Sequence, residues 1–214
     1  MSKSTQHINS VFFGTDDFSV AILEKLEEVG IIPTLVVTPQ DKPSGRGNVL
    51  TPPLVKVWAE ERGVDVLQPE TLAEEELDVL FNSEWDLFLV ASYGKIIPQT
   101  VLDLPKHGTL NVHPSLLPKL RGPRPIEEAI LNDIQETGVT IMLVDNEVDH
   151  GPIISQARVT PEEWPLPARA LRALLAEVGG ELLAETIPAW LEGEITPEEQ
   201  NHEEATFTRK LKKE

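Results

Sequence analysis

Short apolar runs alternate with segments of helical spacing along the first hundred residues. VFFG reads as a buried strand ending in a turn residue. In the following DDFSVAILEKLEEVG, Phe18, Ile22, Leu26 and Val29 share one helical face. The acids at its start suit a helix N-terminus, and Gly30 stops it. TLVVT is a second buried strand, PQDKPSGRGNVL a loop, and TPPLVKVWAEERG a helix with Thr51 as cap and Pro52 or Pro53 in its first turn. VDVL, LAEEELDVLFN and WDLFLVAS read as strand, helix and strand. This repeated order predicts an α/β fold, a mostly parallel sheet flanked by helices.

The rhythm changes after residue 108. GTLNVH is a strand and PIEEAILNDI a helix. GVTIMLV and PIISQARV are β-branched strands joined by the short VDNEVDHG, which predicts an antiparallel addition to the sheet. ARALRALLAEVGGELLAETIPAWLEG is helical despite Gly179 and Gly180, and the polar, proline-containing end is an extended tail. The expected organisation is one domain over 1–194 and a tail or linker over 195–214.

Composition narrows the class. The 214 residues are 40% hydrophobic and 25% charged, ordinary for a globular chain. No apolar run is long enough to span a membrane. The polar start lacks the apolar core of a secretory signal, so a cytoplasmic protein without membrane partners, and a monomer, is the expectation. With no cysteine, disulfides, thiolate catalysis and cysteine-ligated zinc are excluded. The net charge of -18 generally opposes binding to nucleic acid. It is unevenly spread: residues 161–205 are rich in Glu, whereas 105–125 carry Lys106, Lys119, Arg121 and Arg124 and no acid. A chance basic loop and a local anion site on an acidic body both fit that pattern.

Three segments carry candidate chemistry. GTDDF follows the first strand, where ligands of open α/β sheets bind, but it is not the GxGxxG of a dinucleotide site. In NVHPSLLPKLRGPRP, Asn111 and His113 are two apart near a strand's carboxyl end and point to one side. Pro114 and Pro118 stiffen a loop that leaves Leu116 and Leu117 outside regular structure, as a pocket-lining loop does. A lone strand-end histidine is ordinarily a structural imidazole; the adjacent Asn and the proline-bracketed loop shift the balance toward function. In VDNEVDHG, Asp145, Glu147 and Asp149 are all plausible turn residues, and spacing does not choose among them. No HxH or HxxxH pair supports a metal site, so none is expected.

These segments together resemble the folate-dependent formyltransferases. FFGTDDF is close to that family's FxGTPxF. NVHPSLLPKLRGPRPIEEAI and ETGVTIMLVDNEVDHGPI carry its Asn-x-His, SLLP and Asp-x-Gly combination. ASYGKIIP also fits the family, and DKPSGRG and ATFTRKL are similar to the branch that formylates charged initiator transfer RNA. The resemblance implies a Rossmann-like sheet of formyltransferase type, 10-formyltetrahydrofolate as donor and no metal. It implies that Asn111 and His113 polarise the formyl group and that Asp149, rather than Asp145 or Glu147, is the essential carboxylate. Tyr93, Gly94, Lys95, Ile96, Ile97 and Pro98, with Ser115, Leu116, Leu117 and Pro118, would line the folate site. Lys42, Arg46 and Gly47, with Arg121, would contact transfer RNA.

Such residues suit the reaction. An amine attacking a formyl carbon makes a tetrahedral oxyanion, to which an amide and an imidazole can both donate. A nearby carboxylate can handle the amine proton. The chain departs from the family in Asp16, where proline is usual, and in Asn48 and Val49, where many members carry lysine. The sequence ends on ATFTRKLKKE, so no C-terminal β-barrel domain is expected. A nucleotide-sugar N-formyltransferase shares the catalytic set and needs no barrel. A folate-binding domain without turnover is the non-enzymatic alternative.

Overall fold

A computed structural model of the chain describes residues 8–45 and 47–209. Arg46, expected to contact transfer RNA, therefore lies outside the described residues. The chain divides between Thr109 and Leu110 into two compact units.

In the first unit the run SVFFG is the wholly buried strand β1 (Ser10–Gly14). Helix α1 (Asp17–Glu28) buries Phe18, Ile22, Leu23 and Leu26 along one face, the stripe its spacing predicts. Its N-cap is Asp16, whose carboxylate also accepts a 2.7 Å hydrogen bond from Ser92 Oγ. The acid that replaces the usual proline thus satisfies a helix terminus. The chain continues through β2 (Leu35–Val37), β3 (Lys42–Ser44), β4 (Val49–Thr51), α2 (Leu54–Arg62), β5 (Asp65–Leu67), α3 (Asp78–Phe81), β6 (Leu87–Ala91) and α4 (Gln99–Leu102). Four strands lie in the order β5-β2-β1-β6, all parallel, with Phe12 opposite Val36 on one side and Leu89 on the other. The order reverses between β1 and β6, the switch point at which Rossmann-like sheets bind ligands. Val11, Phe13, Val37, Leu80, Trp85 and Phe88 build the core on one face.

Gly14 ends β1 where an added Cβ would stand 2.8 Å from the Ser19 Cβ, so the first turn is tight. Ser19, fully buried, donates to the Ala91 carbonyl at 2.7 Å and accepts from the Thr15 N–H at 3.0 Å. Ser19→Ala leaves that carbonyl and that N–H without this partner. We expect a loss of about 1–3 kcal/mol in urea unfolding; an unchanged midpoint would show that water replaces the hydroxyl.

Three local readings need correction. The expected loop at 39–50 forms the antiparallel ribbon β3–β4, with Lys42 opposite Thr51 and Ser44 opposite Val49. Gly45, Gly47 and Asn48 all take positive φ, which permits the tight reversal. Thr51 is consequently a strand residue, its hydroxyl on the Val49 carbonyl, and α2 starts behind Pro53 without a side-chain cap. The helix expected over 72–82 breaks into a single 3-10 turn and the short α3, because the Glu76 carboxylate folds back onto the backbone of Glu70 and Thr71.

The second unit is antiparallel. β7 (Thr109–His113) pairs with β8 (Thr137–Leu143), which pairs with β9 (Ile153–Val159). Helix α5 (Pro125–Leu131) precedes β8, and α6 (Ala168–Leu191) runs unbroken through its glycine pair. An added Cβ at Gly179 would stand 2.9 Å from Val112 and 3.3 Å from Val139, so the small residue lets α6 approach the strands closely. Residues 195–209, extended apart from a 3-10 turn at His202–Glu204, fold back on this unit. Glu198 and Ile153 exchange two 2.8 Å backbone hydrogen bonds, and Phe207 bridges Arg121. Parallel β-α order followed by an antiparallel addition is the architecture the hydrophobic pattern predicts. Among the described residues no helix is long and apolar enough to cross a membrane.

Candidate active site

The second unit brings the candidate catalytic residues together. β7 places Asn111 opposite Met142 and His113 opposite Thr140, so period-two alternation puts both side chains on one face. Asn111 lies two residues inside the strand rather than at its carboxyl end, because pairing with β8 continues through His113. Asn111 is half-buried, and among the described residues its side-chain amide has no hydrogen-bond partner.

His113 is buried. Its Nε2 lies 3.1 Å from the Leu120 carbonyl, which can only accept, so that nitrogen carries the proton. Nδ1 faces Asp149 Oδ1 at 3.5 Å. Asp149 holds a left-handed backbone with φ of 50°, unusual for a non-glycine residue. Its other oxygen, Oδ2, accepts from the Gly122 N–H at 2.7 Å. Asp145 instead accepts from the Glu147 N–H and contacts His150 Nδ1 at 2.7 Å, while Glu147 is exposed. Long-range packing therefore distinguishes three acids that spacing left equivalent: only the Asp149 carboxylate faces the histidine.

The loop after His113 is pinned without regular structure. Thr140 Oγ1 donates to the Ser115 carbonyl at 2.7 Å and accepts from the Leu117 N–H at 3.1 Å. Gln156 Nε2 donates to the Leu117 carbonyl, and Ser115 Oγ donates to that of Lys119. Ser115 and Leu117 are buried supports, whereas Leu116 and Pro118 remain half-exposed. In the first unit, Tyr93 packs its ring on Phe13 at 5.5 Å between centroids, and burial pushes its hydroxyl pKa up to about 12. Lys95 Nζ donates to the carbonyls of Pro69 and Glu70, Gly94 and Ile96 are exposed, and Ile97 and Pro98 are half-buried. Lys42 and Gly47 are exposed on the β3–β4 ribbon.

The expectation for Arg121 is overturned. It is only 3% exposed, and its guanidinium points inward: Nε and Nη2 donate to Gln200 Oε1 at 3.1 and 2.6 Å, and Nη2 lies 2.9 Å from His202 Nδ1. The returning segment 198–208 pairs over it, so Arg121 offers no charge to a phosphate. Lys106 likewise is paired, with Glu84 and Asp86. Of the basic run 105–125, Lys119 Nζ also donates to the Glu204 carbonyl. Sequence reasoning missed Gln200, His202, Thr206 and Thr208; only Thr206 and Thr208 fall within the ATFTRKL resemblance, and no local signal marks Gln200 or His202.

The chain superposes on a glycinamide ribonucleotide transformylase 1 from Symbiobacterium toebii with a TM-score of 0.72 at 22% identity, covering 94% of this chain and 98% of that one. A sugar 3N-formyl transferase, solved with dTDP and 5-N-formyl-THF, also gives 0.72, at 21% identity over 95% of this chain and 70% of the other. The fold is that of the formyltransferases. Residues 8–187 match the formyl transferase family model, and the chain belongs to the formyl transferase family. Over 205 residues it is 46% identical to the methionyl-tRNA formyltransferase of Halalkalibacterium halodurans, covering 95% of this chain and 64% of that protein. The Bacillus licheniformis protein of the same name is 44% identical, with 65% of its length covered. The chain thus spans slightly less than two thirds of the length of these relatives.

Proposed function

We propose that this chain transfers the formyl group of 10-formyltetrahydrofolate to the amino group of methionyl-initiator transfer RNA. The observation that carries the chemistry is a half-buried Asn111 amide, without a hydrogen-bond partner among the described residues, on the same strand face as His113, which pairs with Asp149. The transfer-RNA acceptor rests on the names of the relatives more than 40% identical.

The donor set fits a carbonyl ligand: an amide with free donors, an imidazole and a carboxylate with one oxygen away from backbone. When bound, the folate supplies the formyl carbon and a nitrogen leaving group. Asn111 Nδ2 donates to the formyl oxygen, most strongly as negative charge develops there. Leu120 holds the His113 Nε2–H, so Nδ1 is left as an acceptor toward the attacking amine, and Asn111 is the oxyanion donor. Asp149 Oδ1 faces Nδ1 and takes the proton shed by the attacking amine, directly or through water, then gives it to the departing folate nitrogen as the bond between that nitrogen and the formyl carbon breaks, while Oδ2 stays on the Gly122 N–H. Leu116 and Pro118 would meet the donor from this unit. The same role for 93–98, and contact of Lys42, Arg46 and Gly47 with transfer RNA, rest on the family resemblance.

A nucleotide-sugar acceptor is the second reading. It is favoured by the inward-turned Arg121, which removes one expected transfer-RNA contact, and by the fold likeness to a sugar N-formyl transferase. The two separate in one assay. Formyl-folate is offered with methionyl-initiator transfer RNA, free methionine and an amino-sugar nucleotide, with products weighed by mass spectrometry at two salt concentrations. We expect use of the transfer RNA, with log kcat/KM falling with log salt by a slope of about 0.9 per neutralised phosphate. Arg46→Ala should lower kcat/KM for the transfer RNA and leave KM for formyl-folate unchanged. Equal or better use of the sugar nucleotide, indifferent to Arg46→Ala, would establish the second reading.

A further inference from the structure

We infer that Gln200 is a positioning residue for the proposed formyl transfer, and that the returning segment 198–208 holds both His113 and Asp149 in their working geometry. This rests on the reading above. Gln200 is 4% exposed, and its amide is used at both ends. Oε1 accepts from Arg121 Nε and Nη2; since arginine can only donate, the amide orientation is settled by its partners. Nε2 donates to the Asp149 carbonyl at 3.0 Å and the Gly151 carbonyl at 2.7 Å. These carbonyls flank His150, so one side chain ties both sides of the turn in which Asp149 keeps its unfavourable positive φ. His202, two residues on, stacks on His150 with ring centroids 4.1 Å apart and planes within 1°.

The same segment reaches His113 by a second route. Thr206 Oγ1 accepts from the Leu120 N–H at 2.8 Å, and the Thr206 carbonyl accepts from the Arg121 N–H at 2.8 Å. The Arg121 carbonyl accepts from the Thr208 N–H at 2.7 Å, and Thr208 Oγ1 from the Arg124 N–H at 3.1 Å. Within this brace lie the Leu120 carbonyl, which takes the His113 Nε2–H, and the Gly122 N–H, which holds Asp149 Oδ2. None of these contacts uses Asn111, and Gln200 touches neither catalytic side chain. It acts through the backbone of the Asp149 turn.

Glutamine suits the position because the site needs two donors toward carbonyls and an acceptor toward a guanidinium. Gln200→Glu keeps the acceptor for Arg121 but turns an oxygen on two carbonyl oxygens. Gln200→Ala removes both functions. The test measures both variants of the 214-residue chain for kcat, for KM toward formyl-folate and methionyl-initiator transfer RNA, for thermal unfolding, and for the imidazole 15N spectrum of His113, assigned with His113→Gln. Displacement of a reacting group by a fraction of an ångström to an ångström predicts a fall in kcat of about tenfold to a hundredfold. Both KM values should stay within about twofold of wild type, since the contacts lie behind the reacting groups, and the His113 ring signals should move. If kcat per folded molecule and the His113 spectrum are unchanged while only the unfolding temperature falls, Gln200 is merely structural and the inference is overturned. If one variant does not fold, the other decides on the same readouts. A wild-type chain that formylates no acceptor would defeat the functional reading instead; an unmoved His113 spectrum in Gln200→Glu would then overturn the positioning role independently.

Discussion

Asn111→Ala is expected to lower kcat for formyl transfer by about a hundredfold to a thousandfold, the usual cost of one oxyanion donor. The change is informative because Asn111 is half-buried and its amide bonds to nothing in the protein among the described residues. Truncating it therefore breaks no internal hydrogen bond, and the loss appears in kcat rather than in the urea midpoint. His113→Ala and Asp149→Ala should show losses of the same order, with some destabilisation, since each leaves a partner behind: the Leu120 carbonyl in one case and the Gly122 N–H in the other. Asp145→Ala and Glu147→Ala serve as controls. Asp145 contacts its own turn and His150, and Glu147 is exposed, so their effects on kcat should be much smaller. Steady-state kinetics on all five variants checks this ordering. Near-normal turnover in His113→Ala, or equal losses across the three acids, would remove the proposed mechanism.

Gly151→Ala is expected to destabilise the chain by about 1–3 kcal/mol or more and to depress kcat with it. Gly151 is buried where the chain turns into β9, and a Cβ there would overlap the Leu143 carbonyl oxygen. That neighbour is backbone, so no rotamer change relieves the overlap. Either the turn lifts away from β8, weakening the 2.9 Å bond from the Leu143 N–H to the Pro152 carbonyl, or the strand shifts. In both cases the Gly151 carbonyl moves relative to Gln200 Nε2, and the Asp149 turn moves with it. Urea unfolding with linear extrapolation reads the stability loss, and kcat at a temperature where the variant is folded reads the displacement. A wild-type midpoint would mean the turn has slack that these contacts do not show. Wild-type kcat despite a lowered midpoint would separate the turn's stability from the Asp149 geometry.

The β3–β4 ribbon escaped the hydrophobic pattern because all its described residues are exposed, and a strand with no buried face carries no period-two signal. The helix over 72–82 had the composition of a helix, but the Glu76 carboxylate found backbone partners that ended it early. Arg121 read as a surface cation because charge composition does not reveal a partner 79 residues away.

What the sequence by itself determined is therefore what repeats locally. β1, β2 and β6 were legible as buried apolar runs, α1 and α6 as helices of long apolar period, and the β8–β9 pair as β-branched strands joined by a short turn. Placement of Asn111 and His113 on one face followed from alternation along a single strand. The tertiary structure alone decided which of the three turn acids faces His113, which nitrogen of that ring is held by Leu120, and that the final segment returns to brace the site. Those outcomes depend on hydrogen bonds between residues far apart in sequence, 27 for Gly122 with Asp149 and 51 for Gln200 with Asp149. Local periodicity records which side of an element is apolar; it holds no information about which polar atoms meet when distant elements pack, because that is settled by the shape and burial of the whole unit.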